Sequence, residues 1–135
     1  MMVGETDLKM LLRNMKPELN EGMFVFCTFD SKDPPIHLDP IAWFHEKEGI
    51  TVIVSKDQAD KFGLSYSFVS TWITLTIHSS LEAVGLTATV SSALARAGIS
   101  CNMVAAYHHD HLFVPVEKTN QALEVLQSLT TNPTS

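Results

Sequence analysis

Cysteine is scarce in this sequence of 135 residues: only Cys27 and Cys101 are present. They form no C-x-x-C pair and each lies in a strand-like apolar run. A disulfide scaffold and a thiol redox motif are therefore excluded, and two buried free thiols are expected. Basic residues are few as well, nine Lys and Arg against 15 Asp and Glu for a net charge of −6, with no basic stripe. Nucleic acid is a poor partner for such a chain. No apolar window approaches the roughly 20 residues of a membrane span. The N-terminal "MMVGETDLKMLLRNMKPELNEG" also lacks the apolar core of a signal peptide, so a cytoplasmic chain with no membrane partner is expected. The six glycines are scattered and build no phosphate loop. No serine sits in a nucleophile elbow, and neither cysteine has a basic neighbour to lower its pKa. These absences argue against an enzyme and call for no cofactor; a small enzyme without a recognisable motif, its His and Asp assembled from distant positions, is the alternative. Trp43, Trp72 and the seven Phe have no interleaved Lys or Arg, which makes them core or interface residues rather than a base-stacking platform. What the chain does have is 45% hydrophobic residues, enough for a sizeable core.

Local patterns divide that core among helices and strands. Leu8, Leu11, Leu12 and Met15 share one face of a short helix capped by Thr6 or Asp7, and Pro17 prevents its continuation. "GMFVFCTF" reads as a strand, "DSKDPP" as a loop, and "IAWFHE" with "ITVIVS" as a hairpin in which Gly49 supplies a positive φ. Ser55 and Gln58 make a capping box for a second helix that Gly63 stops. In "FVSTWITLTIH", Ile73, Leu75 and Ile77 alternate with Trp72, Thr74, Thr76 and His78, a strand with one polar face. Ser79 and Glu82 form another capping box, opening a helix with Ala83, Leu86, Val90, Leu94 and Ala97 on one side and Gly98 at its end. "SCNMVAAY" and "HLFVPV" are two further strands. A last helix buries Ala122, Val125, Leu126 and Leu129 before a frayed tail.

Two series of strands and helices in this order predict an α+β, ferredoxin-like arrangement of antiparallel sheets with helices on one face. The strand after Leu64 is available to complete either half. A sheet covered on one side leaves Trp72, Thr74 and Thr76 to be covered by the other half or by a second copy, so a homodimer is expected.

The residues also carry a resemblance. "SSLEAVGLTATVSSALARAGISCNMV" resembles the small-residue turn, helix start and Ala-Gly-Ile-x-x-Asn strand entry of ACT domains, in particular those that regulate aspartate kinases. "HLFVPVEKTNQALEVL" is similar to their third strand and second helix, and "LNEGMFVFCTF", "DPIAWFHEKEGITVIV" and "ADKFGL" resemble the small bacterial tandem-ACT family. The resemblance implies two ACT-like halves, residues 1–66 and 67–130, followed by a tail of 131–135. It further implies a non-catalytic regulatory module that binds an amino acid or similar small molecule. The Asp-x-Pro-Gly turn common in the family is replaced here by "HSSLEAVG".

The candidate ligand site combines the helix start with the next strand. A helix N-terminus offers N–H groups and partial positive charge to a carboxylate, which places Ser79, Ser80, Gly85 and Leu86 in the site. Gly85, read as a mid-helix residue, costs about 1 kcal/mol relative to Ala there, so a close backbone approach would explain it. Ser79 and Glu82 simply capping the helix is the competing explanation. Asn102 can accept from a ligand amine, and Met103 offers apolar contact. His78 and His111, each near a strand end, could line the pocket and make binding sensitive to pH near an unperturbed value of about 6.5. In "AAYHHDHLFVPV", period two puts His109 and His111 on one face, a pair that could chelate a transition metal. Hairpin polarity explains the same residues without a metal, and no metal is assigned.

Overall fold

A computed structural model describes residues 5–30, 37–76 and 85–131. The elements in chain order are α1 (Glu5–Asn14), β1 (Lys16–Leu19), β2 (Phe24–Phe29), β3 (Ala42–His45), β4 (Ile50–Ser55), α2 (Lys56–Lys61) and β5 (Val69–Thr76). They continue with α3 (Leu86–Arg96), β6 (Asn102–Ala105), β7 (Asp110–Pro115), a 3-10 turn at Val116–Lys118 and α4 (Thr119–Thr131). The pairs β1–β5, β2–β4, β2–β5, β3–β4 and β6–β7 all run antiparallel, so the chain is α+β as expected.

By its contacts the chain divides into two compact units. One is discontinuous, Met1–Asn20 with Trp72–Ser135, and the other is central, Glu21–Thr71. The expected division after residue 66 leaves residues 1–20 with the first half, whereas they pack here with residues 72–135. The cause lies in β1, whose residues Lys16 to Leu19 pair with Thr76 to Ile73 of β5. The passage from one unit to the other falls within β5 itself.

The discontinuous unit orders its strands β1-β5-β7-β6. Its core joins Ile73 and Leu75 of β5 and Leu112 and Val114 of β7 to Leu12 of α1, Leu86, Val90 and Leu94 of α3, and Ala122, Leu126 and Leu129 of α4. Three helices thus cover one sheet face. Burying each Leu contributes about 1.5–3 kcal/mol, and the i, i+4, i+8 spacing of Leu86, Val90 and Leu94 is what turns α3 toward the sheet. The alternate residues, Trp72 and Thr74 on β5 with His111 and Phe113 on β7, belong to the opposite face.

The central unit orders its strands β3-β4-β2, and β2 also pairs with the first residues of β5, Val69 and Ser70. Val25, Cys27, Ile50, Val52 and Val54 form its core with Ala59 of α2. One half of the capping box is as read from sequence: the Gln58 amide N–H donates to Ser55 Oγ at 3.2 Å. The Gln58 side chain also reaches the 37–41 segment, accepting from the Asp39 N–H at 2.8 Å and donating to the Asp39 carbonyl at 3.0 Å. Gly63 follows with φ of +67°.

The two hairpins are equivalent. Ala42 pairs with Ile53 as Asn102 pairs with Phe113, a constant shift of 60 along both strands. β4 and β7 alternate burial in the same way. Asp110 therefore occupies the place that Ile50 fills in the central unit, at the buried end of the strand.

Candidate functional site

The start of α3 differs from its sequence reading. Helix α3 begins at Leu86, and Gly85 is its N-cap with φ of +97° rather than a mid-helix residue. A left-handed backbone here explains the glycine directly, because a side chain at that φ is strained. The approach is close as well: a Cβ on Gly85 would lie 3.3 Å from Leu8 Cδ2 of α1. The Gly85 carbonyl accepts the first helical bond, from Thr89 N–H at 2.9 Å, and among the described residues no side chain caps the helix. The N–H groups of the first turn consequently have no intrahelical acceptor. His78, Ser79 and Ser80, with the expected capping residue Glu82, lie outside the described residues.

Strand pairing separates the remaining candidates. Met103 stands opposite Leu112 and packs, like Leu86, against the helix-side core. Asn102 stands opposite Phe113 on the other face, exposed, and His111 shares that face opposite Val104. Gly85, Leu86 and Met103 are thus on one side of the sheet, and Asn102 and His111 on the other.

His111 belongs to a hydrogen-bonded group that sequence reasoning did not find. The Trp72 indole N–H donates to His111 Nδ1 at 3.0 Å, and Thr74 Oγ1 lies 3.1 Å from the same nitrogen. Asn20 Nδ2 donates to Thr74 Oγ1 at 2.9 Å and to the Trp72 carbonyl at 3.2 Å. The Trp72 carbonyl also accepts the Asn20 backbone N–H at 2.9 Å. The ring of Trp72 stacks on Phe113 at a centroid distance of 6.3 Å. Burial holds His111 below the ordinary imidazole pKa of 6.5, His109 pushes it in the same direction, and Asp110 opposes both. Alternation in "TWITL" already placed Trp72 and Thr74 on a polar face. Nothing local in the sequence pointed to Asn20, which reaches them across 52 and 54 positions.

The His-rich stretch is a hairpin connection. Asp110 opens β7, paired with Ala105 and only 8% exposed, and its burial raises its pKa above the ordinary carboxyl value. The Ala106 N–H donates to the His109 carbonyl at 3.1 Å and closes the turn. Among the described residues no group of three or more His, Cys, Asp or Glu could hold a metal ion. His109 and His111 have no third such ligand beside them among the described residues. Both thiols are kept protonated by burial, which pushes Cys101 up to about 11 and raises Cys27 as well. The raised pKa disfavours the thiolate, the nucleophilic form, at both positions.

Residues 3–71 match one ACT domain family and residues 67–128 another. The chain belongs to the ACT domain family. Its two ACT domains meet in sequence at the start of β5, although α1 and β1, which fall in the first match, pack in the discontinuous unit. The crystal structure of a Vibrio cholerae protein of unknown function, given as a possible transport protein, is 44% identical with a TM-score of 0.83, and the alignment covers 93% of this chain and 97% of that one. A protein from Agrobacterium tumefaciens is similar in fold, with 16% identity, a TM-score of 0.69 and coverage of 86% and 89%. So is the ligand-free regulatory subunit of aspartate kinase from Thermus thermophilus, with 12% identity, a TM-score of 0.59 and coverage of 83% and 95%. No curated protein matches the sequence. Tandem ACT domains place the chain among regulatory modules that bind small molecules. Among the described residues no helix is long and apolar enough to cross a membrane.

Proposed function

We propose that this tandem ACT protein is a non-catalytic cytoplasmic regulator that binds an amino acid or a similar small carboxylate in its C-terminal ACT domain. The observation that supports the reading is the start of α3, where the N-cap is the left-handed Gly85 and, among the described residues, no side chain caps the first-turn N–H groups, inside a fold family of ligand-binding modules. Ser79 and Ser80 would complete this carboxylate subsite. Exposed Asn102 would meet the ligand amine. Because Asn102 and Gly85 lie on different sides of the sheet, a ligand touching both must reach around the β6 edge or lie against a second copy of the chain. The homodimer reading gains support from β3, the outer strand of the central unit, where Trp43 is 54% and Phe44 70% exposed. An uncovered edge strand with two large aromatic side chains favours association.

A thermal-shift screen of the standard amino acids and nucleobases tests the reading. One compound should raise the melting temperature, corresponding to about 2.7 kcal/mol at a hundredfold excess over Kd. Asn102→Ala changes an exposed side chain, so it should leave the free protein's melting temperature in place and weaken the response. No response from any compound, or a response unchanged in Asn102→Ala, refutes the site. Light scattering should give twice the protomer mass of 14.9 kDa.

A further inference from the structure

The hydrogen bonds around His111 fix the state of its ring by chemistry alone. An indole nitrogen donates and never accepts, so the Nδ1 atom that receives Trp72 Nε1–H at 3.0 Å must be a bare lone pair. The neutral imidazole then carries its proton on Nε2. Thr74 Oγ1 accepts from the Asn20 amide and directs its own hydroxyl hydrogen to the same Nδ1. The donors that lead to His111 thus run from Asn20 to Thr74 to Nδ1, with the Trp72 indole closing on the same nitrogen from the other side.

The place of this group in the chain gives it a consequence. Asn20 is the last residue of the discontinuous unit before the chain leaves it, and Trp72 is the first after the chain returns. The two are bonded to each other through the backbone and through the Asn20 side chain. We propose that His111 is an acid-sensitive latch: as the neutral Nε2–H ring it ties Trp72 and, through Thr74, Asn20 into the discontinuous unit, and it releases Trp72 when Nδ1 takes a proton from solvent. Once both ring nitrogens carry hydrogen, the Trp72 N–H and the imidazolium N–H oppose each other, and the indole must turn away. Thr74 can stay, since its oxygen can accept where its hydroxyl previously donated.

The charged and titratable groups facing this site, among the described residues, are few. On β7 and its turn they are Asp110, which favours the protonated ring, and His109, which disfavours it. Strand β1 brings Glu18 opposite Thr74 and Lys16 opposite Thr76, and Glu18 Oε2 accepts from Thr76 Oγ1 at 2.8 Å. β5 contributes the uncharged Trp72 and Thr74, and β6 sets Val104 opposite His111. No ligand is needed for the latch to work, so it stands or falls separately from amino-acid binding.

Long-range proton–nitrogen correlation spectra of the isotope-labelled full chain read the ring state directly. At about pH 8 His111 should show a bare Nδ1 and a protonated Nε2, and on acidification it should titrate with a midpoint below the free value of about 6.5. The Trp72 indole resonance and the exchange rate of the Asn20 amide should change with that same midpoint. In His111→Asn the Trp72 resonance should lose its pH response between about pH 5 and 8. Trp72→Phe, which removes the donor, should move the His111 midpoint upward toward its free value and supplies the test if His111→Asn does not fold. An Nδ1–H ring at about pH 8, a Trp72 indole that ignores the His111 titration, or a response that persists in His111→Asn would each overturn the latch.

Discussion

Replacing Gly49 with alanine would drive a methyl group into the backbone at the end of β2. A Cβ at this position collides with the Phe29 carbonyl oxygen and lies 3.1 Å from its carbon and 3.3 Å from Asp30 Cα. These are main-chain atoms of a paired strand, since Phe29 is hydrogen-bonded in register opposite Ile50, so no rotamer change relieves the contact. The φ of +151° adds conformational strain. Positive φ costs a non-glycine residue roughly 1–2 kcal/mol, and overpacking against a rigid neighbour roughly 1–3 kcal/mol. Together they come to about 3 kcal/mol, a large share of the ~5–15 kcal/mol that holds a domain folded. Gly63→Ala is the control. Its φ of +67° carries similar strain, but nothing lies within 4 Å of the added Cβ. Urea unfolding at neutral pH should therefore show Gly49→Ala losing about 2 kcal/mol more than Gly63→Ala. Equal losses in the two variants would show that the hairpin shifts to make room and would refute the steric argument.

Ser55→Ala removes the cap of α2 and should cost about 1 kcal/mol in the same assay, because the Gln58 N–H loses its acceptor. Asp110→Asn should stabilise the fold at neutral pH by on the order of 1 kcal/mol, since a buried carboxylate is replaced by a neutral amide. Its pKa is raised in the folded state, so the native chain binds the proton more readily than the unfolded one. The gain from the substitution should accordingly shrink as the pH is lowered toward the unfolded value of 3.8. His111 has the opposite sign: its lowered folded pKa makes its contribution complete above 6.5 and diminishing as pH falls below that value, a trend that His111→Asn should remove from a plot of stability against pH.

Local signals were the ones the sequence carried well. The Ser55–Gln58 cap, the alternation around Ile73 and Leu75, the spacing of Leu86, Val90 and Leu94, and the Gly49 hairpin each depend on residues within one or two turns of one another. β1 was not read as a strand, because Lys16 to Leu19 has no apolar alternation and owes its conformation to β5, more than 50 positions away. Gly85 was misplaced because the apolar spacing extends back through Ala83 on paper, while a left-handed φ leaves no mark in a sequence pattern. The hairpin equivalence was equally silent. "AWFHEKEGITVIVS" and "NMVAAYHHDHLFVP" share a single identical residue at the corresponding positions, Val54 with Val114, and their pairing register is what reveals the repeat.

The division of the chain also bears on the order in which it can fold. Residues 21–71 are continuous, so the central unit has all of its strands available as soon as the start of β5 has been synthesised. The discontinuous unit has no such opportunity. β1 leaves the ribosome before residues 73–76 and can pair only after they follow it, and Leu12 finds its partners on α4 only when that helix is complete. Closing contacts of such long sequence separation is slow relative to local hairpin formation. During synthesis, α1 and β1 therefore precede their partners, and the apolar stripe of α1 stays uncovered until β5 and α4 follow.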